Sequence, residues 1–259
     1  MPENTSNFTT KARKITRNGE LAWGGENDWS DELDQSEDVI VQNGQVKPAS
    51  EPVDGLIAQW ELNGNATDSV GDHHGTVHGG VEFVTDSERG EVTTFNGEDG
   101  YIHATENSLD GATEATVSGW MKSTQTSDWH APFAYNGDND ANYGYIVRYD
   151  LLDDVVEFIV NGTTHKTEWA DYDNYDGAWH LLTAVWDHGT MLLYRDGELV
   201  ASKTTTEDTV ALDGDFNIGR YRWDHADDNW WYLGAADDVR IYNQALSGNA
   251  VGRLWTATK

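Results

Sequence analysis

From residue 55 onward, short apolar runs alternate with polar positions, and glycine-containing turn pairs separate them. Asp196-Gly197 sits between Met191–Arg195 and Glu198–Ser202, and Asn161-Gly162 follows Val155–Val160. Two central residues able to take positive φ between strand-like runs predict tight antiparallel hairpins. Further Asn-Gly or Asp-Gly pairs begin at Asn63, Asn96, Asp110, Asn136, Asp176 and Asp213, with runs such as Thr116–Met121, Leu181–Trp186 and Asp238–Tyr242 between them. Val117, Gly119 and Met121 alternate with Ser118, Trp120 and Lys122, the period of a half-solvated strand. Trp179 and Trp186 adjoin apolar runs and are expected in the core. Helical pattern is confined to a turn or two near Ser247–Leu254. Many short strands and 26 glycines predict an all-β, antiparallel sandwich or barrel.

The first 53 residues read differently. Strand candidates are short (Glu20–Trp23 and Asp38–Val41), and Lys47-Pro48-Ala49-Ser50-Glu51-Pro52 has the composition of a linker. The expected organisation is an N-terminal arm over 1–53 and one domain over 54–259. Lys11, Arg13, Lys14 and Arg17 form a basic cluster ahead of an acidic stretch, Glu26 to Asp38. That cluster is expected to dock on an acidic partner and anchor the chain; the alternative is a floppy tail.

Charge narrows the function classes. Sixteen Lys and Arg against 46 Asp and Glu give a formal −30, a field that repels nucleic acid and anionic lipid. Two readings stand: acids that keep the protein soluble, or adaptation to molar salt, where a Debye length of about 3 Å screens the self-repulsion. Only 7 lysines accord with the second. Without cysteine there is no disulfide and no Cys-ligated metal. No apolar run reaches the ~20 residues of a membrane span, and the first residues, Met1 to Asn7, lack the apolar core of a signal peptide.

Several segments in order carry a family resemblance. They are Leu56-Ile57-Ala58-Gln59-Trp60 running to Asp68-Ser69, His74-Gly75-Thr76, Phe95-Asn96-Gly97 with Tyr101-Ile102, and Val117-Ser118-Gly119-Trp120-Met121. Asp176-Gly177-Ala178-Trp179-His180, Leu193-Tyr194-Arg195-Asp196-Gly197, Ile218-Gly219 and Asp237-Asp238-Val239-Arg240-Ile241-Tyr242 complete the series. The series resembles the laminin-G-like jelly rolls of the concanavalin A-like lectin/glucanase superfamily, and it does not cover residues 1–53. The resemblance implies an antiparallel two-sheet jelly-roll sandwich, to which residues 1–53 are expected to add an extended N-terminal arm. It also implies a structural Ca2+ site joining Asp68 and Asp237, with Asp72 as a further ligand, since Ca2+ takes six to eight oxygens. His73, His74 and His78 do not make a zinc site: neighbours on a strand point to opposite faces and no third ligand is specified.

The superfamily includes glycan-cleaving enzymes, which need two carboxyls about 5.5 Å apart for a retaining mechanism. The nearest pattern, Glu26-Asn27-Asp28-Trp29-Ser30-Asp31, ends in Asp and lies outside the sandwich, so no catalysis is expected. Three segments rich in aromatics, Asp, Asn and Gly point to binding instead. They run from Asp128 to Tyr145, Glu168 to Tyr175 and Arg220 to Tyr232. Aromatic faces stack on sugar C–H faces while Asp and Asn hydrogen-bond hydroxyls. Trp129, Trp169, Tyr172, Trp223 and Trp230 are the candidate ligand-binding residues, with Arg220 and Arg222 as rare cations suited to acidic sugars or to neighbouring carboxylates. The expected protein is a non-catalytic, lectin-like domain for cell-surface glycan or glycoprotein. It is expected as a homo-oligomer on a virion or other extracellular particle, anchored through the arm to a capsid or particle protein. The alternatives are a structural decoration protein of a haloarchaeal virus without glycan binding, a glycan-cleaving jelly-roll enzyme, and a cytoplasmic protein of a halophile.

Overall fold

The computed structural model describes residues 39–42, 45–48, 52–105, 108–123, 129–135, 144–150, 155–162, 166–170, 176–212, 214–222 and 229–259. The chain divides into two units, Met1–Ala49 and Ser50–Lys259. In the first, β1 (Val39–Gln42) and β2 (Gln45–Pro48) form an antiparallel hairpin with Val39 opposite Pro48. Lys47 and Pro48, read from sequence as linker, are therefore strand residues. A missing N–H is tolerated at the end of an edge strand. Lys11, Arg13, Lys14, Arg17 and the Glu20–Trp23 segment lie outside the described residues.

The second unit opens with β3 (Leu56–Trp60), β4 (Gly75–His78), β5 (Val81–Asp86), β6 (Gly90–Asn96), β7 (Tyr101–Ala104) and β8 (Glu114–Ser123). There follow β9 (Trp129–Tyr135), β10 (Tyr145–Asp150), β11 (Val155–Val160), β12 (Lys166–Ala170), β13 (His180–Asp187), β14 (Thr190–Arg195) and β15 (Glu198–Thr204). The last elements are β16 (Phe216–Ile218), β17 (Arg220–Arg222), β18 (Asn229–Trp231), β19 (Leu233–Tyr242) and the helix α1 (Gly248–Thr258). One sheet has seven strands in the order β12-β11-β10-β9-β16-β7-β4. The other has eight, β15-β14-β13-β8-β19-β6-β5, with β3 added on β19. All strand pairs are antiparallel, as the turn chemistry predicts. The β14–β15 hairpin turns on Asp196 (φ 51°) and Gly197 (φ 82°), the positive-φ pair that its Asp-Gly sequence supplies.

The two sheets enclose a core in which Trp60 stacks on Phe216 at 5.2 Å and Trp186, Phe133 and Phe158 are fully buried. Tyr145, also fully buried, satisfies its hydroxyl on the Ala184 carbonyl at 2.6 Å. Each sheet is also covered on its outer face. Over the eight-stranded sheet, α1 packs Ala250, Val251 and Leu254 into a second apolar cluster with Trp120, Trp179, Val185 and Tyr242. Burying side chains such as Val251 and Leu254 contributes about 1.5–3 kcal/mol each. Ser247 caps the helix by accepting from the Ala250 N–H. At its far end Thr258 Oγ1 accepts from the Trp120 indole and its carbonyl accepts from Arg89. The helix thus runs three turns rather than one or two, and the expectation of a half-solvated β8 fails: Ser118 and Trp120 are buried because this layer covers them. Trp186 lies between the sheets and Trp179 in the outer cluster. Among the described residues no helix is long and apolar enough to cross a membrane.

Candidate functional site

The outer face of the seven-stranded sheet carries the chemistry. Tyr145, Val147 and Tyr149 of β10 and Val156, Phe158 and Val160 of β11 point into the core, so the period of two sends Ile146, Arg148, Asp150, Val155, Glu157 and Ile159 outward. Every one of these outward residues is nevertheless buried. The cover includes the β17–β18 hairpin. Phe216 lies opposite Tyr135 and Ile218 opposite Phe133, and the Gly219 N–H donates to the Pro132 carbonyl. The chain therefore continues along β9 toward Ala131 and Trp129. Tyr221 and Trp230, paired across the hairpin with centroids 4.8 Å apart, pack on Ala131, Ala134, Ile146 and Ile159.

Beside this apolar floor lies a buried ionic ladder. Arg148 pairs with Glu157, which also takes Lys166; Lys166 reaches Glu168 at 2.6 Å. Arg148 and Glu157 are 3% and 0% exposed, so both charges draw on protein partners for what water would supply. The Arg148 guanidinium lies 4.8 Å from the Trp230 ring centre. Glu157 and Glu168 face each other across β11 and β12 but both are clamped by Lys166, whose hydrogen bond holds the Glu168 carboxyl below its usual range. A general acid needs the opposite shift.

Toward the other edge the face opens into a half-exposed aromatic platform. His78 stacks on Tyr101 at 4.4 Å and 9°, Trp231 lies 5.8 Å from Tyr101, and the Arg220 guanidinium sits 3.8 Å above the Tyr101 ring. Asn217 Oδ1 accepts from Arg220 at 3.2 Å, while His103 pairs with Asp215 at 3.2 Å.

The described parts of the three aromatic-rich segments thus belong to one sheet and its hairpin. Of the expected ligand-binding residues, Trp230 lies on this face, half-buried between Tyr221 and Arg148. Trp129 starts β9 opposite Asp150, and Trp169 lies on β12 opposite Val156. Tyr172 and Trp223 lie outside the described residues. Sequence reasoning missed Tyr101, His103, Arg148 and Glu157, and it considered His78 only for zinc. His78 and Tyr101 are neighbours through the β4–β7 register.

The expected calcium ligands do other work. Asp68 Oδ1 accepts from the N–H groups of Gln59, Val70 and Gly71, and Oδ2 from that of His73, at 2.9–3.1 Å. Burial raises this carboxyl, but the four donors outweigh it and hold it below the usual carboxylate range. Asp237 Oδ2 is paired with Arg89 at 2.7 Å, and Asp238, at φ 50°, takes two bonds from Arg240 and one from Gln59. Asp72 is exposed in the loop. A carboxylate already taking four N–H donors at Asp68, and one paired with a resident guanidinium at Asp237, do not fit Ca2+. The arginines supply the positive charge there. Nearby, His73 Nδ1 is engaged by the Thr105 carbonyl, and His74 Nδ1 accepts from the Asp68 N–H. Among the described residues one trio, Glu114, Asp187 and His188, brings potential ligand atoms within 4.8 Å. Both His188 ring nitrogens already meet carboxylates, Asp208 at 3.3 Å and Glu114 at 3.4 Å. The hydrogen bond to Asp208 raises the imidazole pKa, as expected for a proton held between two anions.

Comparison with known proteins agrees with this architecture. A laminin-G-type family described as the concanavalin A-like lectin/glucanases superfamily matches residues 96–252. No curated protein sequence matches the chain. Among solved structures, domain 4 of AbnA, a GH43 extracellular arabinanase from Geobacillus stearothermophilus in complex with arabinotriose, is 21% identical with a TM-score of 0.61; the match covers 77% of this chain and 97% of that domain. The binding domain of botulinum neurotoxin DC in complex with SialylT is 13% identical, TM-score 0.61, covering 80% of this chain. The binding domain of Paraclostridial mosquitocidal protein 1 is 15% identical, TM-score 0.62, covering 78%. The chain spans about half the length of these two toxin domains, 52% in each case.

Proposed function

The chain belongs to the concanavalin A-like lectin/glucanases superfamily, and on that fold we propose a non-catalytic glycan-binding domain whose ligand lies on the outer face of the seven-stranded sheet. The observation that carries this reading is the half-exposed platform of Tyr101, Trp231 and His78 beside Arg220, continuous through the hairpin with Trp230. Flat rings with polar tips and a fixed guanidinium are the groups that grip a sugar's C–H face and its polar substituents. Structural neighbours solved with arabinotriose and SialylT support a glycan as the class of ligand. The Glu157–Lys166–Glu168 ladder supports binding over hydrolysis, because Lys166 holds the Glu168 carboxyl below its usual range, the opposite of what a general acid needs.

The biological setting is proposed on composition. The −30 charge suits molar salt, and a particle of a halophile or its virus is the setting we favour, with residues 1–53 as its anchoring and oligomerising arm. The direct test is a glycan array probed with the full chain in molar salt, beside Trp231→Ala. Wild-type hits weakened by about tenfold or more in the variant, with melting shifted little, support the reading. An array on which the wild type retains no glycan, neutral or acidic, refutes it.

A further inference from the structure

Four Asn-x-Ser/Thr triplets occur in the chain, beginning at Asn4, Asn7, Asn65 and Asn161. The triplet is the acceptor pattern for N-linked glycosylation. A pattern this short recurs by chance, so the fold has to separate one triplet from another. Asn4 and Asn7 lie outside the described residues, and the other two stand in opposite circumstances. Asn161, at φ 55° after β11, is half-buried and clamped on both sides of its amide. Its Nδ2 donates to the Thr209 carbonyl and its Oδ1 accepts from the Ala211 N–H, each at 2.7 Å. Asn65 lies in the connection between β3 and β4, with Asn63, Gly64 and Thr67 exposed around it. Ala66 turns into the core and its carbonyl accepts from the Gly75 N–H at 2.7 Å. That anchor leaves the Asn65 amide and the Thr67 side chain outside, one residue to either side of it. Asn65 is itself exposed, its Oδ1 accepting from the Thr67 N–H at 2.8 Å and its Nδ2 donating to the Asn63 carbonyl at 3.2 Å.

We propose that Asn65 carries an N-linked glycan and that the folded surface withholds Asn161 from the same modification. The donor is an oligosaccharide on a polyprenyl-phosphate carrier, and the catalyst is a transferase that reads the Asn-x-Thr triplet. Nδ2 of Asn65 forms a bond to C1 of the first sugar as the bond from C1 to the carrier's phosphate oxygen breaks. The phosphate leaves with that electron pair, and one Nδ2 proton passes to a base on the transferase. The product keeps the Oδ1 bond to Thr67 and retains one N–H for the Asn63 carbonyl, so the loop takes the sugar without repacking. At Asn161 the sugar has to enter between the hairpin and the segment that supplies Thr209 and Ala211. The inference concerns a glycan the domain carries and is independent of any glycan it binds.

The full chain, isolated from its own source, is cut with a protease that cleaves before Asp. The fragments Asp54–Thr67 and Asp154–Ala170 hold Asn65 and Asn161 separately. Mass spectrometry with electron-transfer fragmentation is expected to find a sugar mass on Asn65 and an unmodified Asn161. Thr67→Ala, made in the same cells, leaves Asn65 and the backbone N–H it accepts from in place, and should lose the glycan entirely. Thr67→Ser should keep it. Thr67 is exposed, so neither change disturbs the core. An unmodified Asn65 in the wild type overturns the site, and so does a sugar mass that survives Thr67→Ala. A glycan on Asn161 as well overturns the selection by the folded surface.

Discussion

Replacing Asp68 with alanine removes an acceptor shared by four backbone N–H groups. A hydrogen bond to a charged group contributes about 1.5–3 kcal/mol, but the four do not add in full. Val70 is 47% exposed, so the N–H groups of the outer loop regain water when the carboxylate is gone. The Gln59 N–H, beside fully buried Trp60, regains less. The net cost of Asp68→Ala is expected at about 3–5 kcal/mol. Asp68→Asn keeps one acceptor oxygen for the Gln59, Val70 and Gly71 donors but sets an amide N–H against that of His73, and should cost about 1–2 kcal/mol. Urea unfolding followed by tryptophan fluorescence measures both, provided the m-value is unchanged. The sign with pH follows from the depressed folded-state pKa. The contribution is fully present above the unfolded carboxyl pKa of about 3.9 and is lost as pH falls through the lower folded-state value. Asp68→Asn should lack that acid-side loss. Neither EDTA nor excess Ca2+ should move the wild-type midpoint. A calcium-dependent rise in melting that vanishes in Asp68→Ala would make this carboxylate a metal ligand and refute the argument.

Other expectations test the remaining layers. Glu157→Gln removes the buried carboxylate that Arg148 and Lys166 share and should cost about 3–5 kcal/mol in the same unfolding assay, whereas an Arg148→Met, Glu157→Leu pair should cost less. Burial pushes the Asp237 carboxyl up to about 6 despite Arg89; the folded state then holds the proton more tightly, so this group lowers stability as pH rises from about 3.9 to 6. Asp237→Asn should flatten that slope in a pH series of unfolding curves. A Cβ at Gly219, at φ 89°, would lie 2.4 Å from the buried Phe95 ring, and Gly219→Ala should cost about 2–3 kcal/mol by calorimetry. Leu254→Ala should cost about 2–4 kcal/mol and redshift the fluorescence of Trp120 as α1 loosens.

The strands were legible because their period and turns are local. Asp196-Gly197 declares its hairpin in two letters, and Met191–Arg195 and Glu198–Ser202 follow from it. The layers outside the sandwich were not. Ser118 and Trp120 read as solvent-facing because nothing near β8 in sequence announces that a helix some 130 residues later will cover them. The site was half legible. Its aromatic segments stand out as clusters, but Tyr101 and His103 join Arg220 only through the β7–β16 register, and Arg148 meets Glu157 only through that of β10 and β11. Asp68 and Asp237 stood out only through the family resemblance, as calcium ligands. Their partners did not, because backbone donors and Arg89 leave no spacing signal near them.

The β17–β18 hairpin has a bearing on how such a domain changes over time. Its strands pair with each other rather than extending the seven-stranded sheet, and its base is pinched shut where the Tyr232 N–H meets the Gly219 carbonyl at 3.0 Å. Entry and exit are thus already adjacent, and β16 and β19 keep their registers whatever is carried between them. An insert of different length or composition can be exchanged at residues 220–231 without renegotiating a single rung of the sandwich, so long as it presents an apolar pair to Ala134 and Ile146. Diversification of ligand preference and conservation of the scaffold are therefore mechanically uncoupled, and the same junction offers a defined place for grafting a foreign recognition loop.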